Sequence, residues 1–185
     1  MTLLIIIGIL LVIGLGWASI YNSLIKLRTW AEESFSQIDV QLQRRNDLIP
    51  NLVETVKGYT NHERETLEAV TKARQQLIQL SPDATPEQIN QVSNQLTSAL
   101  SRLLAVAESY PELKANANFM ELQRELSETE NRIAKARQLY NSSIGQYNTR
   151  VQTFPVNIVA NVHHFDVKPF LETPAEDRQV PQVSF

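Results

Sequence analysis

The sequence predicts an all-α chain. It comprises an N-terminal transmembrane helix, an antiparallel four-helix bundle with long first and last helices, and an extended C-terminal tail. Three observations carry this reading. Residues 3–20 hold no charged or strongly polar side chain other than small Ser19. Only 5 of 185 residues are Gly, while Gln, Leu, Ala and Glu are common, a composition that favours helix. Downstream, apolar residues recur in steps of three and four through four segments separated by Gly, Pro and polar clusters. The expected divisions are an anchor over 1–21, a bundle over 22–154 and a tail over 155–185.

At about 1.5 Å per residue, the apolar stretch 3–20 spans roughly 27 Å, close to the hydrocarbon thickness of a bilayer. Trp17 and Tyr21 stand near its end, where amphipathic rings favour the interface. A cleaved signal peptide fits less well, because no basic side chain precedes the stretch and no small-residue cleavage site follows. Lys26 and Arg28 flank its C-terminal side, with Arg44 and Arg45 further on. The positive-inside rule then puts the N-terminus outside and the bundle in the cytoplasm. Gly14 and Ala18 form a small-xxx-small pair that could bring two anchors together.

The first soluble helix carries Leu24, Leu27, Ala31, Phe35, Ile38, Leu42, Ile49, Leu52, Val56 and Tyr59 on one stripe. Pro50 lies inside it and removes the hydrogen bond to the Asn46 carbonyl, so a bend is expected there. Thr60 and Glu63 suggest a capping box opening the second helix, whose apolar residues are Leu67, Val70, Leu77 and Ile78. A loop over 81–86 follows, and Thr85, Pro86 and Gln88 suit the cap, first turn and capping-box partner of the third helix. Its stripe is Ile89, Val92, Leu96, Ala99, Leu103, Val106 and Tyr110, and Pro111 ends or bends it. Asn118 and Glu121 open the fourth helix. Its stripe runs from Phe119 through Leu126, Ile133, Tyr140, Ile144, Tyr147 and Val151 to Phe154, closed by Pro155. Short connections favour the antiparallel bundle, with a long coiled coil as the structural alternative. In the tail, Ile158, Val159, Val162 and Phe165 share a face, and the chain should extend after Pro169.

The helix lengths do not match. The first and fourth run about 35 residues, or about 52 Å, while the middle pair is nearer 30 Å. The membrane-proximal stalk therefore has two stripes that the short helices cannot shield. Covering it falls to the tail, to identical neighbours, or to both. Leu24, Leu27, Phe35, Tyr147, Val151 and Phe154 are the expected contacts. Antiparallel registry also sets Arg45 opposite the Glu130–Asn131 region, where a salt bridge is possible. The simpler expectation for Arg45 is a packed stem with its head in water.

The chemistry is sparse. With 17 basic and 20 acidic residues the formal charge is −3, and no basic footprint for nucleic acid emerges. With no Cys, there is no disulfide, zinc-thiolate site or cysteine nucleophile. His62 falls at a helix start, where a surface or capping role is expected. His163 and His164 are adjacent and diverge on a helix, so with Asp166 they make at best a weak metal site. Glu63, Glu65, Glu68, Glu121, Glu125, Glu128 and Glu130 read as solvated faces, since no Glu-x-x-His pair accompanies them. Arg44, Arg45 and Asp47 form the most pointed charged cluster, either an ion-paired surface or a partner patch. The Asn141-Ser142-Ser143 glycosylation pattern lies within a predicted cytoplasmic helix and is set aside. No catalytic site, cofactor or metal is expected.

Four stretches together resemble the LemA family of bacterial membrane proteins. They are YNSLIKLR, SQIDVQLQRRNDLIPNLVETVKGYTNHE, LLAVAESYPELKANANFMELQRELSETENRIAKARQLYN and YNTRVQTFP. The resemblance covers nearly the whole chain, with 73–98 the variable part. It implies a single-pass anchor with its N-terminus outside and a cytoplasmic helical bundle, and supplies no enzyme activity. Magnetosome-membrane proteins are among the family's relatives, which implies a non-enzymatic scaffold that self-assembles and organises or shapes the membrane. Family members are also encoded near membrane zinc proteases and envelope-maintenance proteins, which implies an adaptor or regulator as the alternative. The partners expected are membrane lipid, further copies of the chain and a possible membrane protein.

Overall fold

The computed structural model describes residues 1–60, 63–81 and 83–172. Its regular elements are all helices: α1 Thr2–Lys57, α2 Arg64–Ile78, α3 Pro86–Ala107, α4 Pro111–Lys114, α5 Ala117–Gln152 and α6 Val156–Val162. Asn61, His62, Pro82 and the tail beyond 172 lie outside the described residues, and with them the expectations for His62 and the end of the tail. The chain forms two compact units. Unit 1 combines Met1–Gln37 with Ala136–Phe170, and unit 2 combines Ile38–Lys135 with Leu171–Phe185.

Several local signals act as their chemistry dictates. The Thr85 hydroxyl accepts from the Gln88 N–H, and the Gln88 side chain accepts from the Thr85 N–H, closing a capping box. Thr60 does not open α2. Its hydroxyl donates back to the Val56 carbonyl at 3.1 Å, finishing α1, and Glu63 takes the cap position without a side-chain bond. A Thr at a helix end can serve the carbonyls behind it or the amides ahead, and here the turn behind prevails. The cap of α5 is Asn116 rather than Asn118: its Oδ1 accepts from the Phe119 N–H at 3.0 Å. Pro111 starts the single turn of α4.

Unit 2 has a continuous core. Ile49, Leu52 and Val56 of α1 meet Val70 and Ala73 of α2, five residues of α3 from Leu96 to Ala107, Leu113 of α4, and Phe119 and Leu126 of α5. The inward face of α3 differs from the apolar stripe. Asn90 and Ser93 are buried, whereas Ile89, Val92 and Val106 are only partly so. Polar partners inside the unit draw that face round, an effect that hydrophobic spacing cannot register.

Unit 1 is built on the other half of each long helix. The rings of Phe35 and Tyr140 meet edge to face at 5.5 Å. Nearer the N-terminus of α1, Leu24 shares a cluster with Tyr147 and Val151. The two segments therefore run in opposite directions. The C-terminal segment covers them: Val156, Ala160 and Phe165 belong to the same cluster, with Ile20, Tyr21, Ile25 and Leu27 packed against it. The buried face of α6 is Val156, Val159 and Ala160; of the expected set, Val159 and Phe165 are buried, while Ile158 and Val162 are 47% and 57% exposed.

Candidate membrane-proximal interaction site

Residues 3–15 of α1 carry large apolar side chains that stay open. From Leu3 to Leu15, each of them is between 46% and 70% exposed. This is the one helix among the described residues long and apolar enough to cross a membrane. Where this apolar run ends, the C-terminal segment arrives. The Trp17 indole N–H donates to Nε2 of His163 at 3.1 Å, and Tyr21 lies against the same imidazole with ring centroids 4.8 Å apart. Tyr21 also meets Phe165 edge to face at 5.7 Å, and the Arg28 guanidinium sits over the Phe165 ring at 5.7 Å.

From there the segment runs back along the stalk. Asn148 holds it by both ends of its amide: Nδ2 donates to the Lys168 carbonyl at 2.7 Å, and Oδ1 accepts the Lys168 N–H at 2.8 Å. Lys168 places its ammonium 3.9 Å from the Glu32 carboxylate and 5.8 Å from the centre of the Tyr147 ring. Tyr147 is buried, and burial pushes its hydroxyl pKa up. The neighbouring Arg28 cation opposes that rise, while Asp166 and Glu32 add to it.

The six expected stalk residues divide. Leu24, Tyr147 and Val151 are buried within the chain, Leu27 and Phe35 are partly buried, and Phe154 is 76% exposed outside the cluster. Phe154 comes after the last turn of α5, so the helical spacing that would have carried it inward has already ended.

The charged cluster divides as well. Arg44 stays at the surface, 4.0 Å from Glu125, and Asp47 accepts from the Gln43 amide at 3.1 Å. Arg45 turns inward and is completely buried, contrary to a head that reaches water. Its Nη1 donates to Glu130 at 2.8 Å and to the Thr97 hydroxyl at 2.9 Å, and its Nη2 donates to the Ser93 hydroxyl at 2.8 Å. An Arg this deep needs such partners, and Glu130 is 32% exposed and retains water on one side. The remaining acidic residues of α5 behave as a solvated face, with Arg124 pairing to both Glu121 and Glu128. Hydrogen bonding to Arg124 holds the Glu121 carboxyl below its usual pKa.

A second arginine was not singled out by sequence. Arg74 Nε donates to the Asn46 carbonyl at 3.0 Å. That carbonyl is the one Pro50 leaves without its i+4 partner, and α1 continues through Pro50 as helix. The signal was half present: proline names the orphaned acceptor but not the donor. Among the described residues no group of three His, Cys, Asp or Glu side chains could hold a metal ion. His163 instead meets Trp17 and Tyr21, and His164 is exposed with φ 55°.

The LemA family model matches residues 34–185. Protein LemA of Metamycoplasma hominis is 28% identical over 139 residues, covering 75% of this chain and 63% of that protein. Magnetosome protein MamQ of Magnetospirillum gryphiswaldense is 26% identical over 189 residues, 88% of this chain and 70% of the relative. Magnetosome protein MamQ 2 of Paramagnetospirillum magneticum is 27% identical over 184 residues, 86% and 68% respectively. The chain thus spans less than two thirds of the first relative and slightly more of the others.

Proposed function

The chain belongs to the LemA family, and from that premise we propose that it is a membrane-anchored, non-enzymatic scaffold. In this reading it self-assembles and organises or shapes the cytoplasmic membrane, with its N-terminus outside. The observation that carries the reading is α1 itself. One helix supplies the apolar run and then contributes residues to both compact units. Relatives named as magnetosome proteins support membrane association, and none of the relatives' names denotes an enzyme.

Contacts between copies fall on what the chain leaves open. Leu24, Tyr147 and Val151 are sealed by the C-terminal segment and are unavailable while it is docked. Leu27 and Phe35 keep part of their surface, and Val167 and Phe170 are 56% and 53% exposed. Gly14 has open space where a Cβ would stand, so a second anchor could approach closely. The test is the full-length protein in lipid vesicles, imaged and mass-measured. Assemblies on deformed or regularly coated vesicles are expected; a single monomeric species on unchanged vesicles rules the scaffold out.

An adaptor for a membrane protease or another envelope protein is the second reading. One feature favours it: an open groove of about 530 Å³ in unit 2, lined by Val53, Lys57, Leu67, Thr71 and neighbours. Arg44 and Asp47 would add charge to a partner surface on the same unit. Co-purification of one defined membrane protein, lost on Leu67→Asp, would support it.

A further inference from the structure

The sequence of α6 is Val-Asn-Ile-Val-Ala-Asn-Val, apolar at five of seven positions. One face is used: Val156, Val159 and Ala160 are at most 3% exposed. The other face carries Ile158 and Val162 together with Asn157 and Asn161. Ile158 and Val162, one helical turn apart, are 47% and 57% exposed, and Phe154 just before the helix is 76% exposed. A short helix that leaves large apolar side chains open beside polar ones has the make-up of a segment lying in a membrane interface.

Contacts within unit 1 fix the level of this ridge along α1. Val151, at the end of α5, clusters with Leu24. His163, just past α6, touches Tyr21 and Trp17. Trp17 lies about 10 Å further toward the apolar run than Leu24, at 1.5 Å per residue. The segment then turns away, reaching Arg28 through Phe165 and Glu32 through Lys168. Within unit 1, residues 154–163 are thus the part of the C-terminal segment nearest the bilayer, and they abut residues of the span itself.

We propose that the outward face of α6 is a second membrane contact. Ile158 and Val162, flanked by Phe154, enter the boundary between headgroups and acyl chains of the leaflet from which α1 emerges. The occupant is lipid because the ridge is continuous with the membrane exit of α1, where Trp17 and Tyr21 mark the interface. Asn161 and His163 beside it supply polar groups suited to headgroups. The proposal rests on reading α1 as a membrane span, but not on self-assembly.

The chain has no Cys, so single labels need no background removal. Full-length Ile158→Cys and Val162→Cys, spin-labelled in phosphatidylcholine–phosphatidylglycerol vesicles, are compared with Val12→Cys and Glu121→Cys. Collision rates with oxygen and with a water-soluble nickel chelate are read for each. Lipid contact predicts a preference for oxygen over nickel at 158 and 162, of the same sign as at 12 and opposite to 121. Labels at 158 and 162 that follow 121 place the ridge in water and overturn the proposal. Labels shielded from both reagents mean that protein, a second copy included, covers it, and this also overturns it. A water-like label at 12 removes the membrane span and the proposal together. The particle mass in the same vesicles reports separately on self-assembly.

Discussion

Unit 2 buries a charge, whereas unit 1 packs rings and closes them with a distant piece of its own chain. In unit 2, Arg45 is fully buried, and Ser93, Thr97 and Glu130 are arranged to receive it. In unit 1, Tyr147, Phe165 and Tyr21 surround Leu24, and the Asn148 amide secures the covering strand. The difference lies in what fails on substitution. An unpaired buried charge or its vacated partners cost more than a lost apolar contact of similar size. A covering strand, by contrast, can come away as a piece.

The largest effect expected is at Arg45. Arg45→Ala removes the guanidinium bonds to Glu130, Thr97 and Ser93 and should cost about 3–5 kcal/mol. Arg45→Met, which refills the space, should recover part of it. Urea denaturation measures the loss, and hydrogen exchange should localise it to α3 and to residues 38–57. An Arg45→Ala protein as stable as the parent would remove the contrast between the units. Next comes Phe165→Ala, expected to cost about 3 kcal/mol by cavity formation. Its exchange signature should appear in 20–31 and 140–151 and leave α3 protected; deprotection spread evenly over both units would show that they do not unfold separately.

Arg74→Met should cost about 1–2 kcal/mol, because the Asn46 carbonyl loses its donor. The sharper form adds Pro50→Ala, which restores a backbone N–H to that carbonyl. In that background the Arg74→Met penalty should shrink toward zero, and an unchanged penalty would assign Arg74 some other role. The smallest effect is Thr85→Ala, about 1 kcal/mol from the lost cap, confined to the start of α3.

What could be read from sequence divides along the same line. The helical character, the apolar run, the Thr85 cap and the stripes of α1 and α5 are local in origin, set by spacing or by side chains three residues apart. Where several local outcomes compete, spacing does not choose between them: Thr60 serves α1 rather than α2, and Asn116 rather than Asn118 caps α5. The candidate site depended on pairings far apart in the chain. Helix registry brought Arg45 near Glu130, yet the inward turn of Ser93 and Thr97 had no signature in an apolar pattern. Arg74 and Asn148 answer backbone groups 28 and 20 residues away. No property of either side chain announces such a partner.

The make-up of unit 1 also bears on how the protein is born. Its segment Met1–Gln37 leaves the ribosome before its counterpart Ala136–Phe170, which follows only after all of Ile38–Lys135 has been translated. The helical part of unit 2 can condense during that interval. Leu24 and Ala31 meanwhile lack their partners from the later half of their own unit. A nascent chain arrested before Tyr140 would present that unfinished surface to chaperones.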